Sequence, residues 1–188
     1  MTGLRERKKA ETRRAIQGHA LRLFLDRGYD ATTVEEIAAA AGVSHMTFFR
    51  YFPSKRAVVE NDDYDPVLAA AIRARPAGED PLTAIRRALV GALGAMPAAE
   101  RETTRIRARL ILSVPELRAG QIESQRTTRA LLAEAIADRG TGAESALQRG
   151  VLAAVALAVL SVALEEWAAG TADDLAELVD CAFEALES

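Results

Sequence analysis

His45, Met46, Phe49 and Arg50 fall within the run HMTFFR, and their spacing puts them on one arc of a helix that turns about 100° per residue. An imidazole, a thioether, a phenyl ring and a guanidinium exposed together are a costly surface unless something binds them. Their chemistry suits base edges in a DNA major groove, where arginine forks onto guanine and apolar groups meet the thymine methyl. A little further on, Lys55 opens another helix with Ser54 and Arg56. Cations at a helix start oppose the macrodipole, and a phosphate bound there would reverse the penalty.

Local rules position this arc. Thr33 followed by Glu36 has the spacing of a capping box, which starts one helix. Val34, Ile37, Ala38 and Ala41 then recur at helical spacing, and Gly42 stands where a helix ends in the left-handed region. Ser44 caps the next helix, with Val43 and Phe48 at the spacing of a hydrophobic staple. Pro53 ends it, because the residue before a proline is pushed out of helical geometry. Phe48 and Ile37 supply the buried side. Two short helices joined by a tight glycine turn make a helix-turn-helix over about 33–52.

Residues from about Arg7 to Val59 resemble the N-terminal DNA-binding domain of the TetR family of transcriptional repressors. The resemblance lies in the basic first helix, the run FLDRGYDATTVEEIAAAAGVS and the tail TFFRYFPSK. It implies an all-α homodimer that binds a palindromic operator in double-stranded DNA and is released by a small-molecule effector. It also implies phosphate contacts from Thr33, Ser44, Thr47, Tyr51 and Lys55, with His45, Met46, Phe49 and Arg50 facing the bases. Two positions depart from the commoner pattern: Met46 stands for a frequent glycine, and Phe49-Arg50 for a frequent Tyr-Tyr pair. Phe49 has no hydroxyl to donate, which shifts its role toward packing on a thymine methyl or a sugar.

Charge agrees with one end meeting nucleic acid. Residues 1–60 hold 11 Lys+Arg against 7 Asp+Glu, net +4, and the rest holds 13 against 20, net −7, giving the overall −3. Arg5–Arg14 carries six basic and two acidic residues; such an arm can contact phosphates or enter the minor groove. Ile16, Ala20, Leu23 and Phe24 then form an apolar stripe, with His19 beside it as a packed or half-exposed residue. The charged start has no signal-peptide core, and the sole cysteine, Cys181, allows no intrachain disulfide. A cytoplasmic protein is expected. The apolar run Val151–Leu164 is too short for a bilayer, so no membrane partner is expected.

Beyond Val59 the chain keeps reading helical, over about 67–75, 82–95, 98–113, 116–139, 144–168 and 172–187. The breaks fall at Pro66, Pro76–Pro81, Pro97, Pro115, Gly140–Gly142 and Gly170. The expected fold is therefore all-α: a three-helix DNA-binding domain over 1–60 and a helical ligand-binding and dimerisation bundle over 61–188. The helix at 144–168 is apolar all round and should be buried on every side. By the family resemblance, it and the last helix form the interface with a second copy, through Val155, Val159, Val162, Leu175, Leu178, Val179 and Phe183. Leu93, Met96, Leu110 and Trp167, with Arg109 as a polar anchor, are the candidate lining of an effector pocket. The stretch PELRA is similar to regulators linked to acyl-CoA-like ligands, so the effector should be apolar or acyl-type.

Catalysis is not expected. The sequence has no glycine-rich phosphate loop, no His/Cys metal set and no nucleophile elbow, and Glu165-Glu166 point apart on a helix. No cofactor, metal or catalytic residue is expected. The alternative to a ligand-released repressor is a helical interaction protein or ligand carrier that binds no operator. That alternative explains the bundle but leaves the basic front without a purpose.

Overall fold

The structure, a computed structural model, describes residues 2–60, 64–139 and 145–186. Among the described residues it has ten helices and no strand. They are α1 (Thr2–Arg27), α2 (Val34–Ala40), α3 (His45–Tyr51), α4 (Lys55–Glu60), α5 (Asp65–Arg73), α6 (Pro81–Gly94), α7 (Ala98–Ser113), α8 (Pro115–Asp138), α9 (Ala146–Ala169) and α10 (Leu175–Glu184). The chain divides into two compact units, Met1–Asn61 with Leu110–Arg118, and Asp62–Arg109 with Ala119–Ser188. By sequence the segment 110–118 goes with the second domain. In the structure it goes with the first, and Leu110 and Leu117 are its buried residues.

In the first unit, Gly28 and Gly42 take left-handed backbone after α1 and α2, at φ 89° and 65°. A side chain there would be strained, so these glycines set where the two helices stop. Ile16, Phe24, Ile37, Phe48, Phe52 and Val58 are buried to within 2% and form the interior of the unit. α1 is one continuous helix, so the basic residues near its start are carried on a helix and not on an extended arm.

The second unit buries one face each of α5, α6, α9 and α10 around Ile72, Leu89, Leu160, Trp167 and Phe183. Asp80 caps α6 by accepting from Thr83 N at 2.9 Å, with Pro81 in the first turn. Asp174 caps α10 by accepting from Ala176 N at 2.8 Å, so that helix begins at Leu175 and not at 172. Pro66 sits inside the first turn of α5, so the helix starts at Asp65 and the proline does not precede it. Ser145 and Gln148 form a second capping box at the start of α9. The expected break at Gly140–Gly142 and the helix limits at 144 and 187 lie outside the described residues.

α9 corrects two expectations. It is 24 residues long, and by length and composition it is long and apolar enough to cross a membrane, unlike the shorter run Val151–Leu164. Nor is it buried on every side. Ala153, Ala156, Leu160, Ala163 and Trp167 face the core, while Leu147 (78% exposed), Val151 (54%) and Val162 (55%) line the opposite face with Ala154 and Ala158.

Candidate nucleic-acid interface

The start of α2 is held by short polar contacts. Thr33 N donates to Glu36 Oε2 at 2.9 Å, and Glu36 N donates to Thr33 Oγ1 at 3.2 Å, closing the capping box. The Thr33 hydroxyl donates to the same carboxylate at 3.1 Å, and Arg27 reaches its other oxygen at 3.0 Å. The Thr33 backbone amide, then its hydroxyl, holds the Glu36 carboxyl below its ordinary pKa, with Arg27 adding a smaller pull. At the start of α3, Ser44 Oγ accepts from Thr47 N at 3.1 Å and lies 2.9 Å from Thr47 Oγ1. One hydroxyl proton of that pair bonds the other oxygen, which leaves one to donate outward.

α3 is anchored by its inner arc. Phe48 is fully buried, with its ring centroid 6.0 Å from that of Phe52 and 5.4 Å from that of Phe49. The opposite arc is therefore turned outward. Met46 is 81% exposed and Phe49 42%, and His45 and Arg50 are exposed beside them. His45 meets Phe49 edge-on at 4.8 Å between centroids, and the Arg50 guanidinium lies 5.4 Å from the Tyr51 ring centroid. The structure thus brings the four expected base-facing side chains onto one exposed arc.

Two of the five expected phosphate holders are tied to other groups of the chain: Thr33 by the capping box the sequence shows, and Lys55 by inward partners that it does not. Lys55 Nζ donates to the carbonyl oxygens of Tyr29 at 2.8 Å and Thr32 at 3.1 Å, and sits 4.3 Å from the Tyr29 ring centroid. It ties the loop between α1 and α2 to the start of α4. Thr33, as above, directs its hydroxyl proton to Glu36. Tyr29 is buried, and desolvation first, then the charges of Glu116 and Glu60, push its phenol up to about 12.

Sequence reasoning also missed residues here. Arg13 Nη1 donates to Tyr51 O at 3.4 Å and its guanidinium lies 4.7 Å from the Phe52 ring centroid, so one arginine of the basic start braces α3. Glu35 Oε1 lies 3.2 Å from His45 Nε2, joining α2 to the outward arc. Both pairings are tertiary, and no spacing along the chain signals them.

The residues expected to bind an effector fall in both units. Leu93, Met96 and Trp167 are packed into the core of the second unit, whereas Leu110 belongs to the first. Arg109 is exposed and donates to Ala168 O at 3.0 Å, and Arg105 lies 5.3 Å from the Trp167 ring centroid. Both cations therefore serve the C-terminal end of α9, where a helix favours positive charge. The expected dimer residues divide as well. Val159, Leu175, Val179 and Phe183 are buried within the single chain and cannot offer a surface to a partner. Val162 is exposed, and Val155 and Leu178 are half-buried. The cause is register: these buried side chains lie on the core-facing sides of α9 and α10.

A small helical unit whose second and third helices meet across a glycine turn, with an exposed arc of side chains on the third, defines a helix-turn-helix DNA-binding protein. Residues 18–61 match the family described as bacterial regulatory proteins, tetR family. Residues 79–188, more than half of the chain, match the MftR C-terminal domain. The chain belongs to the TetR family. It is similar to the HTH-type transcriptional regulator TcmR of Streptomyces glaucescens, 47% identical over an alignment of 94 residues that covers 47% of this chain and 42% of TcmR. The chain thus spans less than half the length of that relative. Its fold is similar to that of Thermus thermophilus FadR, a TetR-family repressor solved with lauroyl-CoA. The TM-score is 0.53 at 25% identity, covering 93% of this chain and 92% of that one. It is also similar in fold to NalD, the secondary repressor of the MexAB-OprM efflux pump in Pseudomonas aeruginosa. There the TM-score is 0.58 at 20% identity, covering 96% and 95%.

Proposed function

We propose that this protein is a cytoplasmic, dimeric repressor that binds a two-fold symmetric DNA operator and is released by a small apolar or acyl-type ligand. The observation that carries the reading is the outward arc of His45, Met46, Phe49 and Arg50 on a helix held from behind by Phe48 and Phe52. Arg50 suits guanine, and Met46 and Phe49 suit thymine methyls. Ser44, Thr47 and Tyr51 flank the arc and contact phosphates. Thr33 and Lys55 act mainly by fixing the start of α2 and the loop before it.

A second copy covers the exposed face of α9, where Ala154 and Ala158 permit close approach between Leu147, Val151 and Val162. Two readers then meet half-sites about 34–36 Å apart, one turn of DNA. An effector bound in the second unit releases DNA only if it binds more tightly to a head spacing that does not fit the operator. The acyl class is supported by the lauroyl-CoA bound to FadR, whose fold this chain resembles.

Selection from a pool of randomised DNA duplexes tests the reading. The protein should enrich an inverted repeat with half-sites about one helical turn apart. Lauroyl-CoA added to the complex should release the enriched duplex. A pool with no enriched motif contradicts the reading, and a motif without symmetry contradicts its dimeric part.

A further inference from the structure

Glu35 is an acid beside a surface that meets phosphates, where an uncompensated carboxylate is repelled. The other carboxylates of α2 and α4 have evident work. Glu36 closes the capping box and takes Arg27, and Glu60 pairs with Arg56. Glu35 instead stands in the first turn of α2, is 70% exposed, and reaches His45, the first residue of α3 and itself 53% exposed. An exposed pair of this kind and an acid in the first turn of a helix each contribute little to stability, too little to make glutamate at this place a requirement of folding. The imidazole also meets the Phe49 ring edge-on.

We propose that Glu35 is a specificity-determining residue of the reader, accepting a hydrogen bond from the exocyclic amino group of a cytosine in the major groove. The inference rests on the DNA-binding reading above. With His45 Nε2 3.2 Å from Glu35 Oε1, that nitrogen carries its proton toward the carboxylate. Oε2 of this exposed side chain is then the acceptor left for a base, and carboxylates pair with the cytosine N4 amino group because that amino group is the donor of the C edge. His45 orients the carboxylate by donating to it. The reading surface therefore draws on two helices, α2 and α3.

Selection from a randomised duplex pool with wild type, Glu35→Gln and His45→Gln tests this. Glu35 is exposed and outside the core, so Glu35→Gln keeps the fold. Wild type should prefer cytosine at one position of each half-site by about tenfold over the other bases. Glu35→Gln should move that position toward adenine, since an amide both donates to N7 and accepts from N6. His45→Gln should weaken the preference at the same position. An unchanged motif in Glu35→Gln overturns the proposal, as does a change of affinity that is equal for all sequences. A wild-type pool without any motif overturns the DNA-binding reading itself, a different result from either.

Discussion

Lys55 lies over the ring of Tyr29, 4.3 Å from its centroid, and donates to the same residue's carbonyl oxygen at 2.8 Å. One ammonium thereby fixes the aromatic ring and the backbone of the loop that leads into α2. Hydrogen bonds from a charged donor contribute more than neutral ones, and a cation over a ring adds to them. Lys55→Ala should lower the stability of the first unit by about 2 kcal/mol. Arg56→Ala, on an exposed neighbour, should change it by no more than about 0.5 kcal/mol. Urea unfolding of both variants checks this, and equal small losses would show that the clamp has no energetic weight.

The two faces of α9 and α10 should respond oppositely to substitution. Val162→Asp places a charge on the exposed face and should convert the proposed dimer to a folded monomer, read as a change of mass in solution. Phe183 is fully buried in the core, so Phe183→Ala should destabilise the fold by about 3–5 kcal/mol. A Val162→Asp protein that stays dimeric would move the interface elsewhere.

Acid stability should depend on Glu79. Hydrogen bonding from Arg75, with Arg87 also reaching it, pulls its carboxyl down from 4.5 to about 2. A depressed carboxyl contributes stability above its unfolded value, and that contribution is lost as pH falls through the folded one. Wild type should therefore melt higher than Glu79→Gln above about pH 5, and the gap should close between pH 4.5 and 2. Melting curves across that range test it; a gap independent of pH would mean that the contact matters for reasons other than charge.

Arg50→Ala should lower affinity for the enriched duplex and relax preference at one base-pair position by about 1–3 kcal/mol. Selection sequencing shows the position, and an unchanged motif would remove Arg50 from the reader.

What was legible in the sequence was local. Thr33 with Glu36, Gly42 and Ser44 mark helix limits by rules that act over a few residues, and the structure shows each of those caps or turns. Helical spacing also sufficed to turn Met46 and Phe49 outward and Phe48 inward. Spacing failed where a helix is apolar on both sides. On α9, hydrophobicity cannot distinguish Val159 in the core from Val162 on the surface, because only the neighbouring helices decide the register. Lys55 with Tyr29, and Glu35 with His45, were invisible for a related reason: each pair joins separate elements through the fold.

The central claim, sequence-specific DNA binding by the α2–α3 surface, is tested most directly by titrating wild type against the enriched duplex and a scrambled duplex of equal length across a salt series. Both affinities should fall as salt rises, because phosphate contacts release counterions. The ratio between the duplexes should stay at about a thousandfold or more. Equal affinity for the two duplexes at every salt concentration would contradict the account.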